Sequence, residues 1–285
     1  LNPAAYEIIV VDNASTDGTA ELLKNYADDS RIRPLSETVI GLSRARNTGW
    51  QKARGTYIGY LDDDAVADED WLKSALWCFE NVTPAPDGLG GLIRLEWETA
   101  RPDWMTDELS GALGHVDWGP VPRRLVPGEK IVGANCFFSR RRLAELRGFD
   151  EQLGRKRRCL LSGEETFLQQ RVEAAGGFFY YHPGASIRHF VPAERATPRW
   201  FYQRYYWGGI SDAIMARTPA KRDVSPSLQG NTVDEVNAGG ARLRRVVKNA
   251  SYSLGILIPR IERIRARIYM SYVLGRIAGT LGVGA

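Results

Sequence analysis

The sequence predicts an α/β protein with a Rossmann-like, mainly parallel sheet flanked by helices, followed by a mostly helical C-terminal extension. Three observations lead there. Short β-branched or aromatic runs alternate with segments of helical periodicity up to about residue 190, the pattern of βαβ units. The run Tyr57-Ile58-Gly59-Tyr60-Leu61 ends abruptly in Asp62-Asp63-Asp64, which places carboxylates at a strand's carboxyl end, where open α/β sheets bind ligands. Beyond Pro192 the composition turns first aromatic and then basic.

Taken in order, Glu7-Ile8-Ile9-Val10-Val11 reads as a strand, and Asp12-Asn13-Ala14-Ser15-Thr16-Asp17-Gly18-Thr19 as a turn rich in helix-capping side chains. A helix is expected from Thr16 to Tyr26 and a second short strand near Arg31–Leu35. Gly41-Leu42-Ser43-Arg44-Ala45-Arg46-Asn47 opens another helix, which leads through Ala53-Arg54-Gly55 into the strand before the acids. Leu72–Phe79 reads as a helix, and Thr83–Gly91, with two prolines and three glycines, as a loop. Ile131–Phe138 is a strand, Arg140–Leu146 a short helix, and Arg155-Lys156-Arg157-Arg158 a mobile basic loop. The helix Glu164–Ala175 stops at Gly176-Gly177. Strands Phe178–Tyr181 and Ala185–Phe190 follow it.

A boundary near residue 195 divides residues 1–195, the α/β part, from 196–285, with a softer linker near 223–240. In the second part Trp200, Phe201, Tyr202, Tyr205, Tyr206 and Trp207 read as an aromatic helix packed into a core. Ile261, Ile264, Ile268 and Tyr272 form a helical stripe, with Arg260, Arg263, Arg265 and Arg267 mostly elsewhere on the wheel.

The 44% hydrophobic and 25% charged fractions are those of an ordinary globular protein, so disorder is not expected. Cys78, Cys136 and Cys159 match no metal-binding spacing and predict free thiols in a reducing compartment. The net charge of +4 hides an asymmetry: residues 240–285 carry nine Lys/Arg and one acid, leaving 29 basic and 33 acidic residues elsewhere. This argues against a nucleic-acid-binding surface. It favours a local basic element facing membrane phosphate or an anionic partner, the alternative being that the tail docks on its own protein.

Three adjacent carboxylates repel one another, and a hard divalent ion such as Mg²⁺ or Mn²⁺ relieves that repulsion with oxygen ligands. The alternative is a solvated acidic turn ahead of the next helix.

The neighbours decide between them. The succession Val10-Val11-Asp12-Asn13-Ala14-Ser15, Ser43-Arg44-Ala45-Arg46-Asn47-Thr48-Gly49, Leu61-Asp62-Asp63-Asp64, Gly133-Ala134-Asn135, Gly148-Phe149-Asp150-Glu151, Gly163-Glu164-Glu165 and Tyr181-His182 through His189 resembles the inverting family-two glycosyltransferases, which have the GT-A fold. The resemblance covers roughly residues 6–190 and implies specific roles. Asp12 and Asn13 would contact the nucleobase, Arg46 base or phosphate, and Asn47 would support the loop. Asp63 would face the ribose and the metal shell, Asp64 and His189 would bind Mg²⁺ or Mn²⁺, and Asp62 would either join them or cap the turn. For Asp12, Asn13 and Asn47 the competing role is turn and cap chemistry.

An inverting transfer needs a general base, for which the resemblance selects Glu165 over Glu164; the competing role for both is to stabilise the helix macrodipole. Glu165 stands where the family carries Asp, and Asn13 where a second Asp is commoner. The family also begins with a strand and a Pro-Thr-Tyr-Asn-like loop that have no counterpart after Leu1, so the sequence reads as N-terminally incomplete. The expected activity is sugar transfer from a nucleoside-diphosphate sugar to a glycan or lipid-linked acceptor, in the cytoplasm or peripherally on the inner membrane face. A non-catalytic sugar-nucleotide-binding module and a metal-dependent nucleotidyltransferase are the other readings. Against the last stands the want of a Gly-rich, Lys-bearing phosphate loop.

Overall fold

The computed structural model describes residues 5–26, 28–218 and 260–282. The predicted linker at 223–240 and the basic stretch 241–259 lie outside the described residues.

β1 (Ile8–Asp12), α1 (Thr19–Lys24) and β2 (Ile32–Ser36) form a βαβ unit whose strands pair in parallel as a two-stranded sheet. α2 (Leu42–Lys52), β3 (Tyr57–Leu61), β4 (Ala65–Ala67) and α3 (Trp71–Asn81) follow. The larger sheet is completed by β5 (Gly88–Trp97), β6 (Arg123–Arg124), β7 (Asn135–Ser139) and β8 (Phe179–Val191), in the order β3-β7-β5-β8-β4 with β6 on β8. Helices α4 (Asp107–Ser110), α5 (Arg140–Glu145), α6 (Glu164–Ala174), α7 (Pro198–Arg217) and α8 (Arg260–Thr280) complete the described elements.

The larger sheet is mixed rather than mainly parallel. Only β5 and β8 run in parallel within it; β3–β7, β5–β7, β4–β8 and β6–β8 are antiparallel. Regular alternation of strand and helix holds only as far as α3, and the later strands arrive through long connections that can return in either direction. β1 pairs only with β2, and β3 only with β7, among the described strands.

Helices cover both faces of the larger sheet, and β7 shows why. Successive strand residues point to opposite sides, so Cys136 and Phe138 join Trp50, Leu143, Phe149, Leu168 and Val172 beneath α2, α5 and α6. Phe137 packs with Ala75, Cys78 and Phe79 of α3. Truncating a fully buried phenylalanine such as Phe138 costs about 3–5 kcal/mol.

Two expectations change here. The segment read as a loop at Thr83–Gly91 contains the start of β5, because its glycines serve close approach rather than a turn: a Cβ on Gly91 would overlap the Ala185 carbonyl. The two short strands after α6 are one, β8, which continues through His182-Pro183-Gly184. All three cysteines are unpaired, as expected.

α7 starts at Pro198, capped by the Thr197 hydroxyl, which accepts from the Trp200 N–H at 3.3 Å. Its Phe201 is buried with Trp104, Met105 and Leu109, so the aromatic stretch is core, as its composition predicts. The isoleucine stripe of the C-terminal helix also turns inward. Ile268 is fully buried and Ile261 and Ile264 pack on the same cluster, while the Tyr272 hydroxyl donates to Asp212 at 2.6 Å. A different stripe of α8 faces outward, formed by Met270, Leu274 and Ile277 and continued by Leu281 in the turn after the helix.

α7 and α8 meet through glycine. A Cβ on Gly209 would lie 2.6 Å from the Arg276 backbone nitrogen, whereas one on Gly208 would meet nothing within 4 Å. Gly208→Ala should therefore stabilise the protein by about 0.5–1 kcal/mol through helix propensity. Gly209→Ala should destabilise it by about 1–3 kcal/mol as the helices are forced apart. Urea denaturation of the two single variants checks the contrast.

Candidate functional site

Strand register explains why the acids and His189 meet. β4 pairs antiparallel with β8 so that Ala65 lies opposite His189, and the Phe190 N–H donates to the Asp64 carbonyl at 2.8 Å. The turn Asp62–Asp64 is thereby laid along the end of β8. The His189 ring is fixed by the contact of its Nδ1 with the Leu113 carbonyl at 2.8 Å, which leaves Nε2 3.0 Å from Asp64 Oδ1. Asp62, Asp64 and His189 each offer an atom within 4.8 Å of the others. Two carboxylate oxygens and one imidazole nitrogen suit a divalent ion, and the imidazole fits Mn²⁺ better than Mg²⁺. Asp63, between them in sequence, is exposed and is not one of that trio.

Asp64 is more constrained than a free carboxylate. Its Oδ2 accepts from Arg195 Nη1 at 2.8 Å, so both oxygens are taken by protein groups. Burial raises its pKa, but the His189 and Arg195 contacts outweigh that and hold it down at about 2. For His189 burial opposes protonation, and the Asp64 hydrogen bond and charge turn the balance upward.

α2 and α6 deliver the second half of the site. Arg46, from α2, is 7% exposed and spans two carboxylates, Glu164 Oε1 at 2.6 Å and Asp62 Oδ1 at 3.0 Å. Arg46, expected at base or phosphate, is held here by these two internal pairs. Glu164 and Glu165 start α6 and differ in what holds them. Glu164 is paired with Arg46; Glu165 Oε1 accepts only the Gly133 N–H, at 3.2 Å, and its Oε2 is buried with no hydrogen-bond partner. Burial, then the neighbouring Glu165 charge, raise the Glu164 carboxyl to about 7 against the pull of Arg46.

The residues expected at the nucleobase divide. Asp12 sits at the end of β1, where its Oδ1 accepts the Ser15 N–H at 2.9 Å and the Ser15 side chain also hydrogen-bonds to its carboxylate. Asn13 is a clamp: Nδ2 donates to the carbonyls of Glu37 and Val39, and Oδ1 accepts the Gly41 N–H at 2.7 Å, ahead of α2. Asn47 is buried and ties α2 to the turn at Phe149, donating to its carbonyl and accepting its N–H, both at 2.9 Å. Turn chemistry thus accounts for the contacts of Asn13, while Asn47 also accepts the Trp50 indole N–H at 3.2 Å and donates to Glu151 at 3.4 Å.

Sequence reading missed two arginines. Arg195 follows β8 on the short 3-10 turn Ala193–Ala196, and nothing in its local pattern points to Asp64, 131 positions away. Arg204 lies on α7 with its Nη1 on the Ser162 hydroxyl at 2.8 Å, close to the start of α6, and its Nε is buried without a partner. The basic loop is anchored, since the Leu42 N–H donates to the Arg155 carbonyl at 2.9 Å. A groove of roughly 640 Å³, lined by Trp50, Tyr57, Phe79 and Arg140 among others, opens at the other end of β3 and shares no residue with the acids.

Breaking a buried pair strands a charge. Arg46→Met should destabilise the protein by about 3–5 kcal/mol at pH 8. The loss should be smaller at pH 5, because a Glu164 whose folded pKa lies above its unfolded value of 4.5 then takes up a proton instead of remaining a bare buried anion. Denaturation at the two pH values measures this.

Residues 2–81 match the family described as Glycosyl transferase family 2. A Haloferax volcanii protein named glucosyl-dolichyl phosphate glucuronosyltransferase is 24% identical over 211 residues, covering 73% of this chain and 67% of that protein. A Bacillus subtilis protein named glycosyltransferase EpsJ is 44% identical over 78 residues, and this match spans only 21% of its length. Among solved structures, a mannosyltransferase from Pyrobaculum calidifontis in complex with GDP-Man and Mn²⁺ superimposes with a TM-score of 0.56 at 18% identity, covering 96% of this chain and 77% of that one. The acid-ended β3, the register that brings β8 to it and these likenesses agree: the chain has the GT-A fold, and its residues 2–81 match the family 2 glycosyltransferases.

Proposed function

We propose that the protein transfers a sugar from a nucleoside-diphosphate sugar to a hydroxyl acceptor with inversion, using Mg²⁺ or Mn²⁺ held by Asp64, His189 and Asp62. The observation that carries this reading is the inequality of the two α6 carboxylates. Glu164 Oε1 is committed to the Arg46 guanidinium, while Glu165 Oε1 meets only the Gly133 N–H and no cation; the second oxygen of each is buried with no hydrogen-bond partner. A carboxylate that no cation pairs with can accept a hydroxyl proton.

In the transfer, Glu165 accepts the proton of the acceptor hydroxyl as that oxygen bonds to the anomeric carbon. The bond from that carbon to the diphosphate breaks on the opposite side. A bound divalent ion supplies stabilisation of the charge that develops on the departing diphosphate. Asp12, at the end of β1, is the remaining candidate for the nucleobase, and Asp63, exposed beside the trio, for the ribose. Arg46 acts through Glu164 and Asp62, which it holds in place.

The acceptor is proposed to be a glycan or a lipid-linked sugar; the name of the Haloferax relative supports the second. Contact with a membrane surface through residues 240–285 belongs to the same proposal. No helix among the described residues is long and apolar enough to cross a membrane. Support for surface contact comes instead from the outward stripe of α8, where exposed Arg263 and Arg267 continue the line of Met270, Leu274, Ile277 and Leu281.

Two experiments follow. Glu165→Gln should lower transfer from a nucleoside-diphosphate sugar by about 10²–10⁴-fold with donor affinity retained. Full activity in that variant would make another group the base, and nucleotide binding without any transfer by the parent would make the binding-module reading correct. Leu274→Ser with Ile277→Ser should lower recovery of the protein with anionic vesicles in flotation, and equal recovery would leave α8 as a docked helix alone.

A further inference from the structure

Asp64 poses a conflict that the rest of the site does not share. An ion held by Asp64, His189 and Asp62 needs at least one Asp64 oxygen, yet His189 occupies Oδ1 at 3.0 Å and the Arg195 guanidinium occupies Oδ2 at 2.8 Å. The imidazole is no obstacle, since it is itself one of the three ligands. Arg195 is the obstacle: a permanent cation, 20% exposed, on a carboxylate 26% exposed. A guanidinium on Oδ2 and a divalent ion on Oδ1 draw on the charge of one carboxylate and repel each other across it, so each weakens the other's hold on Asp64.

We propose that Arg195 is a built-in counter-cation, which holds Asp64 while no divalent ion is bound and is passed to the diphosphate of the incoming nucleotide when the ion takes the carboxylate. The inference rests on the site assigned under the proposed function. Three features of the chain support it. Arg195 has Asp64 as its carboxylate partner among the described residues, so leaving it requires another anion nearby. It lies on a one-turn 3-10 segment immediately after β8, six positions beyond His189, so its side chain can exchange partners without disturbing the strand that carries the histidine. The only anion that arrives with the ion is the diphosphate, and a planar guanidinium binds phosphate oxygens in pairs.

The consequence is coupling. Ion and nucleotide each release the other from a competitor, so each should strengthen the other's binding by the same factor. Without Arg195 the ion should bind more tightly by itself, and its cooperation with nucleotide should shrink.

Binding of Mn²⁺ is measured by the paramagnetic resonance signal of the free ion, with the 285-residue chain alone and then with UDP or GDP. Arg195→Gln and Arg195→Ala should each bind Mn²⁺ alone about two- to fivefold more tightly than the parent, the worth of one half-exposed ion pair. In both, the gain in Mn²⁺ affinity on adding the nucleoside diphosphate should fall. Unchanged or weaker Mn²⁺ binding in both variants, with far-UV dichroism intact, overturns the role of Arg195. Asp64→Asn in the same assay separates the two readings: Mn²⁺ binding unaffected by that change overturns the metal site itself, and the counter-cation with it. Loss of binding in Asp64→Asn with no gain in the Arg195 variants overturns the counter-cation alone.

Discussion

The buried guanidinium of Arg46 is the contact on which the rest of the site depends. It joins α2, the turn after β3 and the first turn of α6, three elements with no backbone pairing to one another, through Asp62 at 3.0 Å and Glu164 at 2.6 Å. A buried arginine between two carboxylates has a large desolvation cost, and replacing such a triad with apolar residues often does not destabilise a protein. Its value here is positional: it sets Glu165 and the acidic trio on one wall and neutralises two of the acids that would otherwise repel a third.

Charge in this site is arranged in two layers. The inner layer is Arg46 with Glu164, both buried, and with Asp62, which reaches outward to the ion site. The outer layer is Asp64 with His189 and Arg195, partly exposed and exchangeable. Each layer carries a protein cation against carboxylates, so the site is nearly neutral before any ligand arrives. An incoming ion and an incoming diphosphate, opposite in sign, fit such a site best together. Glu165 stands between the layers, held by one backbone N–H and by no cation.

Much of this was legible in the sequence, for reasons that can be named. The βαβ start, the acid-ended strand and the α6 boundaries depend on local periodicity and on turn residues, and β1, β3 and α6 fall where those signals place them. The pairing of Asp64 with His189 came only through the family resemblance, since the 125 positions between them are closed by strand register. What the sequence hid is of the same kind. Thr83–Gly91 looked like a loop because glycine marks both turns and tight strand contacts. The parallel sheet was overstated because strand direction is set by connections, not by composition. Arg46 read as a ligand contact and Arg195 went unread, because an arginine's partner depends on which carboxylates the fold brings within its reach. The isoleucine stripe of α8 left membrane contact and docking on its own protein both open, and it packs on the cluster around Phe201.

The account's central claim is that Asp64, with His189 and Asp62, anchors a divalent ion and through it a nucleoside diphosphate. The most direct test is the thermal midpoint of the parent and of Asp64→Ala with Mn²⁺, with UDP or GDP, and with both together. The account predicts that ion and nucleotide together raise the parent's midpoint by more than the sum of their separate effects, and that Asp64→Ala loses this excess. An excess that persists undiminished in Asp64→Ala, or a parent that no nucleotide stabilises, would contradict it.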